Sequence, residues 1–121
     1  MEIRVVNLKE KADRIHDLHA YNLIARMNNI DFKLVKAKRE FIWHRHDETD
    51  EVFLVIEGQM KIALQDRILH LHEGEMTVIP RGVEHKPICD TVCTVMLIEP
   101  SGTPNTGNAG GFLTDTNLEW I

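Results

Sequence analysis

An all-β fold, a sandwich or barrel preceded by one short helix, is what this sequence predicts, on three observations. Between residues 21 and 99 short apolar runs recur, each of strand rather than helix length. Turn-prone steps separate them: Asn28-Asn29, Gly58-Gln59, Gln65-Asp66, Glu73-Gly74, Arg81-Gly82 and Asp90. Helix signals occur only near the N-terminus. There Asn7 stands three residues before Glu10 in capping-box spacing, and Leu8, Ala12 and Ile15 recur at helical intervals.

In chain order, Ile3 and Val5 alternate with charged or small neighbours, which predicts an opening strand over residues 2–6. The helix from Asn7 follows. Residues 21–27 and 31–38 flank Asn28-Asn29, a pair suited to the left-handed backbone of a tight hairpin. Strands are then expected over 41–46, 52–57, 61–64, 67–71, 76–79, 85–89 and 91–99. The run 51–57 is apolar on both parities, with Phe53 and Val55 on one and Val52, Leu54 and Ile56 on the other. A sheet with one face in water would alternate, so a second layer is expected over this strand, either the N-terminal strands or a second copy of the chain. This predicts a homodimer.

From Pro100 to Thr116 the composition shifts to Gly, Thr, Asn and Pro, with Phe112 and Leu113 the only bulky apolar residues, so an irregular tail is expected. Leu118, Trp120 and Ile121 then suggest a short anchoring strand. The reading is of one domain over 1–121, with N-terminal elements over 1–30, a barrel core over 31–100 and the tail over 101–121.

The chain has 121 residues, 19 acidic and 14 basic, for a formal charge of −5. No basic stripe runs along it, so a nucleic-acid partner is not expected. No apolar run reaches the ~18 residues of a membrane span, and the N-terminus lacks a signal-peptide core. A cytoplasmic location is expected. Cys89 and Cys93 accordingly read as thiols rather than a disulfide framework. Cys93, among Val92, Val95 and Leu97, reads as a small core residue, whereas Cys89 is open to a second reading given below.

Two segments carry chemistry. In FIWHRHDETDEVFLVIEG, His44 and His46 are two apart, which on a strand points both imidazoles to one face. Glu51 follows a polar turn short enough to return its carboxylate beside them. In GEMTVIPRGVEHKPIC, His85 comes just after the Pro80-Arg81-Gly82 turn. Three imidazoles and a carboxylate suit Mn, Fe, Co, Ni, Cu or Zn better than Ca or Mg. Four such ligands on an octahedral ion leave two positions for water, O₂ or substrate oxygens. An HxH alone is weak evidence, and the chain supplies its own control. His70 and His72 have the same spacing, but Leu69 and Leu71 hold the core parity there, so that pair is expected in solvent.

What distinguishes the first pair is its setting, which resembles the two motifs of the cupin superfamily. HxH, four residues, Glu, six residues, Gly is matched by His44, His46, Glu51 and Gly58. Gly, five residues, Pro, x, Gly, two residues, His is matched by Gly74, Pro80, Gly82 and His85. The resemblance covers about 32–100 and is nearest to single-domain bacterial cupins labelled mannose-6-phosphate isomerase-like. It implies a double-stranded β-helix, or jelly-roll barrel, in which these histidines and the glutamate bind one divalent transition metal. The second motif often ends in Asn four residues after its His, where this chain has Cys89. That leaves two readings for Cys89, a thiolate near the ion or an apolar strand end, and Pro87 and Ile88 favour the second.

The inward parity is expected to include Ile42, Phe53 and Val55, with Met60, Met76 and Met96 as neighbours in the core. At the mouth, Arg81 and Lys86 flank the His85 turn and are candidates to bind a substrate carboxylate or phosphate. Glu48 is the spare carboxylate for acid–base catalysis. No nucleophile-and-base set or phosphate-cradling loop is present, so any chemistry falls to the ion. The expectation is a metal-dependent enzyme (isomerase, decarboxylase or dioxygenase) on a small sugar, keto acid or enediol, with a non-catalytic small-ligand binding or sensing module as the alternative.

Overall fold

The computed structural model describes residues 2–111, 114–115 and 118–121, so the expectation for Phe112 and Leu113 lies outside the described residues. Helix α1 (Leu8–Asp13) starts where the side chain of Asn7 accepts a hydrogen bond from the Glu10 N–H at 3.0 Å. The reciprocal half of a capping box does not form, because the Glu10 carboxylate pairs with Arg14 at 2.7 Å. The strands are β1 (Asn22–Met27), β2 (Ile30–Glu40), β3 (Glu51–Glu57), β4 (Met60–Ala63), β5 (Ile68–Leu71), β6 (Met76–Ile79), β7 (Lys86–Pro100) and β8 (Glu119–Trp120). Strands β1 and β2 form the expected hairpin, with Asn28 in the left-handed region at φ 57.

The sheet closes on itself because β2 and β7 are long enough to serve both halves. Strand β7 pairs with β4 near its start and with β3 towards its end, while β2 runs antiparallel along both parts of it. Strand β6 pairs with the other edge of β3. This is a jelly-roll barrel with one short helix. Its interior is filled by Val35, Phe53, Val55, Met60, Ile62, Leu71, Ile79, Cys89, Cys93, Val95 and Leu97. A second core lies outside the wall, where Ile15, Ile24, Leu34 and Met96 meet Leu8, Leu54, Ile56 and Ile121. The doubly apolar β3 therefore feeds two cores, and the helix, β1 and the C-terminus supply part of its covering layer.

Five expectations are corrected. Residues 2–6 form no strand: Ile3 and Val5 are fully in solvent, and the outer edge of β1 is already taken by β8. Residues 41–46 are not a continuous strand either. The β2–β7 ladder shifts register at Arg39 (φ 70) and ends at Glu40, after which pairing continues only as isolated contacts, Phe41 with Pro87 and His44 with His85. The expected break at Asp90 is absorbed within β7 as a register shift against β2. That shift brings Cys89 and Cys93 to a Cα–Cα distance of 6.4 Å, and the two are disulfide-bonded rather than free thiols. Of the three methionines only Met60 is in the interior; Met96 belongs to the outer core and Met76 is exposed.

Gly58, in the β3–β4 turn, is required twice over. Its φ is +82, and a Cβ there would sit 3.0 Å from the carbonyl oxygen of Val92. The tail is irregular over 101–111 as expected, yet it is packed. Asn105 and Thr106 are buried, and Asp115 accepts a hydrogen bond from the Tyr21 N–H at 2.9 Å. Strand β8, parallel to β1, anchors the end.

Candidate metal centre

Two loops and one strand build the site. His44 and His85 exchange backbone hydrogen bonds of 3.0 and 2.9 Å, which locks the two motif segments together. The Gly82 N–H donates to the His46 carbonyl at 2.8 Å, fixing the Pro80-Arg81-Gly82 turn against the same segment. Strand β3 begins at Glu51 and turns its carboxylate inward. All four side chains are buried, and one ligand atom from each lies within 4.8 Å of every other. His70 and His72 are outside this group and exposed.

The histidine tautomers follow from the partners. Nδ1 of His44 lies 2.9 Å from the Ile42 carbonyl, and Nδ1 of His85 lies 2.9 Å from the Val83 carbonyl. A carbonyl only accepts, so both Nδ1 atoms carry the proton and both Nε2 atoms present a lone pair. Nε2 of His85 then faces Oε1 of Glu51 at 3.3 Å, and Nε2 of His46 lies 3.2 Å from the same oxygen. These three buried atoms have no hydrogen-bond partner. For His85 the contact sets two acceptors against each other, which is costly in a buried site and is what a cation between them relieves. The donor set thus fits a divalent transition ion and could hold one. Burial pushes the His44 imidazole down to about 4, so it stays neutral and ready to coordinate. Burial alone would raise the Glu51 carboxyl, but the His46 and His85 imidazoles beside it outweigh burial and hold it below the ordinary carboxylate range.

Phe41 packs edge-on to His44 and Phe53 edge-on to His85, so the inner side of the site is apolar. A cavity of ≈ 20 Å³, about one water, lies on that side between Tyr21, Phe41, Phe53, Met60 and Leu97. On the outer side an open cleft of ≈ 380 Å³ is lined by His46, Glu48, Thr49 and the tail residues 100–104, 107 and 108. The tail is clamped there: Asn108 exchanges two hydrogen bonds with the backbone of Arg45, the residue between the two motif histidines. It therefore forms one wall of the mouth.

The remaining candidates separate. Glu48 lines the outer cleft. Arg81 is tied to Asp50 through its backbone N–H (2.9 Å) and its Nε (3.3 Å), and Lys86 contacts Glu40 at 3.2 Å and lies over the Trp43 ring. Neither lines that cleft. Cys89 is not among the four clustered side chains. Sequence reasoning missed a buried polar group behind Glu51, made of Lys33, Glu99 and Tyr21. Burial and the nearby Glu51 charge raise both the Glu99 carboxyl and the Tyr21 phenol. A signal existed: Leu34 and Val35 are adjacent in β2, so both faces of that strand are covered, and a lysine beside them is buried.

The fold and this site together are those of a cupin. The cupin-domain family matches residues 32–99, more than half of the chain, and the chain belongs to that family. It is 30% identical over 84 residues to the uncharacterized protein YdbB of Bacillus subtilis, across 69% of this chain and 74% of that protein. Its structure resembles a cupin-2 domain protein of Shewanella frigidimarina (48% identity, TM-score 0.78), over 79% of this chain and 94% of that one. It also resembles protein NMB1881 of Neisseria meningitidis (33% identity, TM-score 0.74), over 81% of this chain and all of the other.

Proposed function

We propose that this cupin binds one divalent transition metal (Mn, Fe, Co, Ni, Cu or Zn) through His44, His46, Glu51 and His85, and acts with it on a small oxygen-rich metabolite. The observation that carries this reading is the convergence of buried, unpartnered Nε2 and Oε1 atoms at one point. When bound, the ion supplies Lewis-acid polarisation of a carbonyl or hydroxyl and acidification of bound water. The chain's own residues supply the rest. The Ile42 and Val83 carbonyls fix the tautomers of His44 and His85, Phe41 and Phe53 pack edge-on against those rings and make the inner side apolar, and Glu48 stands at the mouth to hold or pass a proton. Sugars, keto acids and enediols are the substrate classes, and isomerisation, decarboxylation and dioxygenation the reactions. Arg81 and Lys86 are the proposed anchors for a substrate anion. No helix among the described residues is long and apolar enough to cross a membrane, and the proposed setting is the cytoplasm.

Turnover on a panel of these substrates, abolished by a chelator and restored by one metal, tests the reading; turnover indifferent to chelation contradicts it. Arg81 and Lys86 are both engaged by acidic neighbours, and that favours the second reading, a non-catalytic binding or sensing module. Saturable ligand binding without turnover across the panel would select it. We also propose a homodimer over the β3–β6 face, where Val52 and Leu54 pair with the half-exposed Val78 and Met76. Light scattering at micromolar concentration reads this directly, and a monomer contradicts it.

A further inference from the structure

Among the seven arginines of the chain, one stands apart. Arg4, Arg14, Arg26, Arg45, Arg67 and Arg81 each pair with a carboxylate at 2.6 to 3.3 Å. Arg39 has no such partner among the described residues. Its side chain is exposed, and the adjacent Glu40 is taken by Lys86 at 3.2 Å. Its backbone is held at φ 70, a left-handed conformation that a long side chain adopts only at a cost.

Arg39 lines the apolar cavity beside the metal centre, and so does His19, whose φ is 62. The one other non-glycine residue with positive φ among the described residues is Asn28, which sits in a hairpin turn. The His19 ring lies 3.1 Å from the Lys38 carbonyl and stacks on Phe41, with centroids 6.3 Å apart. Exposed Arg39 and half-buried His19 mark the solvent end of the cavity, and buried Phe53, Met60 and Leu97 close its inner end. The space between, ≈ 20 Å³, takes one methyl-sized group. A free guanidinium over an apolar recess complements a carboxylate that carries a short hydrocarbon end. Phosphate would meet the charge and leave the recess empty. An arginine kept only for solubility needs neither the strained backbone nor the recess.

We propose that Arg39 and this cavity form a binding site for a short aliphatic carboxylate. The carboxylate sits on the guanidinium, and the hydrocarbon end lies against Phe41, Phe53 and Met60. The site goes beyond the metal reading, because none of the four clustered side chains lines the cavity. Phe41 and Phe53, which touch the His44 and His85 rings, place the ligand beside the metal centre without making it a ligand of the ion.

The test is a titration of the full chain with sodium propionate, read from the methionine methyl signals by NMR. Met60 lines the cavity, and exposed Met76 on the outer face is the internal control. The expected result is a saturable shift of Met60 with Met76 unmoved, and the same shift after treatment with a chelator. Propionamide, of the same shape without the charge, should bind about tenfold more weakly, and Arg39→Asn should weaken propionate by about as much. Asparagine tolerates the left-handed backbone, and Arg39→Gly carries the same comparison if that variant does not fold. Arg67→Gln, which breaks an exposed pair elsewhere, should stay within about twofold of the wild type. No Met60 shift, a shift that Arg39→Asn leaves unchanged, or equal binding of propionamide overturns the proposal. Loss of the shift on chelation assigns propionate to the ion, which overturns this site while supporting the metal reading and so keeps the two failures distinct.

Discussion

The chain contains two HxH pairs, and they differ in almost everything but spacing. His44 and His46 are 2% and 6% exposed and meet Glu51 and His85, which come from elsewhere in the chain. His70 and His72 stand in solvent: β5 turns Leu71 into the barrel, and the His72 Nδ1 pairs with Glu75 at 3.0 Å with both side chains more than half exposed. Such an exposed pair contributes little to stability. The period of two decides only that both rings share a face. Which face, and what stands opposite, is decided by the polar turn over 47–50 that returns Glu51 and the Pro80-Arg81-Gly82 turn that returns His85 to the first pair. The backbone carbonyls of Ile42 and Val83 add the last element, because they leave Nε2 free to coordinate.

The largest effect expected from breaking the first site is that of His85→Ala. It removes one of the four proposed ligands, the ring that packs on His44 and one side of the Glu51 contact. Its cobalt(II) affinity should fall by more than the roughly 100-fold that outer partners carry, as read by chelator competition; a loss below tenfold contradicts the assignment. Next comes acid sensitivity of the metal-free protein. Because burial lowers the His44 imidazole from the ordinary 6.5 to about 4, the unfolded chain takes up this proton first as pH falls. The contribution is complete above pH 6.5, declines below it and is lost near pH 4. At about 1.4 kcal/mol per pH unit this is on the order of 3 kcal/mol. Urea denaturation of metal-free wild type against His44→Gln, at pH 7.5, 5.5 and 4, should show the wild type losing that much relative to the variant. A difference that does not change with pH speaks against a buried neutral His44. A smaller effect should follow from Gly107→Ala, where φ is +55 and the new Cβ would stand 2.3 Å from the Arg45 carbonyl oxygen. Destabilisation of about 2 kcal/mol and faster proteolysis within 101–111 are expected; unchanged melting would show that the tail does not clamp the mouth.

Much of this was legible in the residues. Apolar runs and turn pairs located the strands, and the joint spacing of Glu51, Gly58, Gly74, Pro80, Gly82 and His85 singled out the four clustered side chains. What escaped had physical causes. Residues 2–6 have strand-like alternation but no free sheet edge to join. Residues 41–46 carry the strand parity without the ladder, which shifts register at Arg39 and ends at Glu40. The Cys89–Cys93 link depends on a register shift in β7 that composition does not encode. The burial of Lys33 and Glu99 is not legible from parity, because strand alternation cannot tell a wet face from the polar end of a barrel interior.

The most direct test of the account sets the two pairs side by side. Cobalt(II) stoichiometry would be measured by calorimetric titration for the wild type, His44→Ala/His46→Ala and His70→Ala/His72→Ala. One equivalent in the wild type and in the His70/His72 variant, with none in the His44/His46 variant, is the predicted result. Equal binding by all three, or loss on changing His70 and His72, would contradict it.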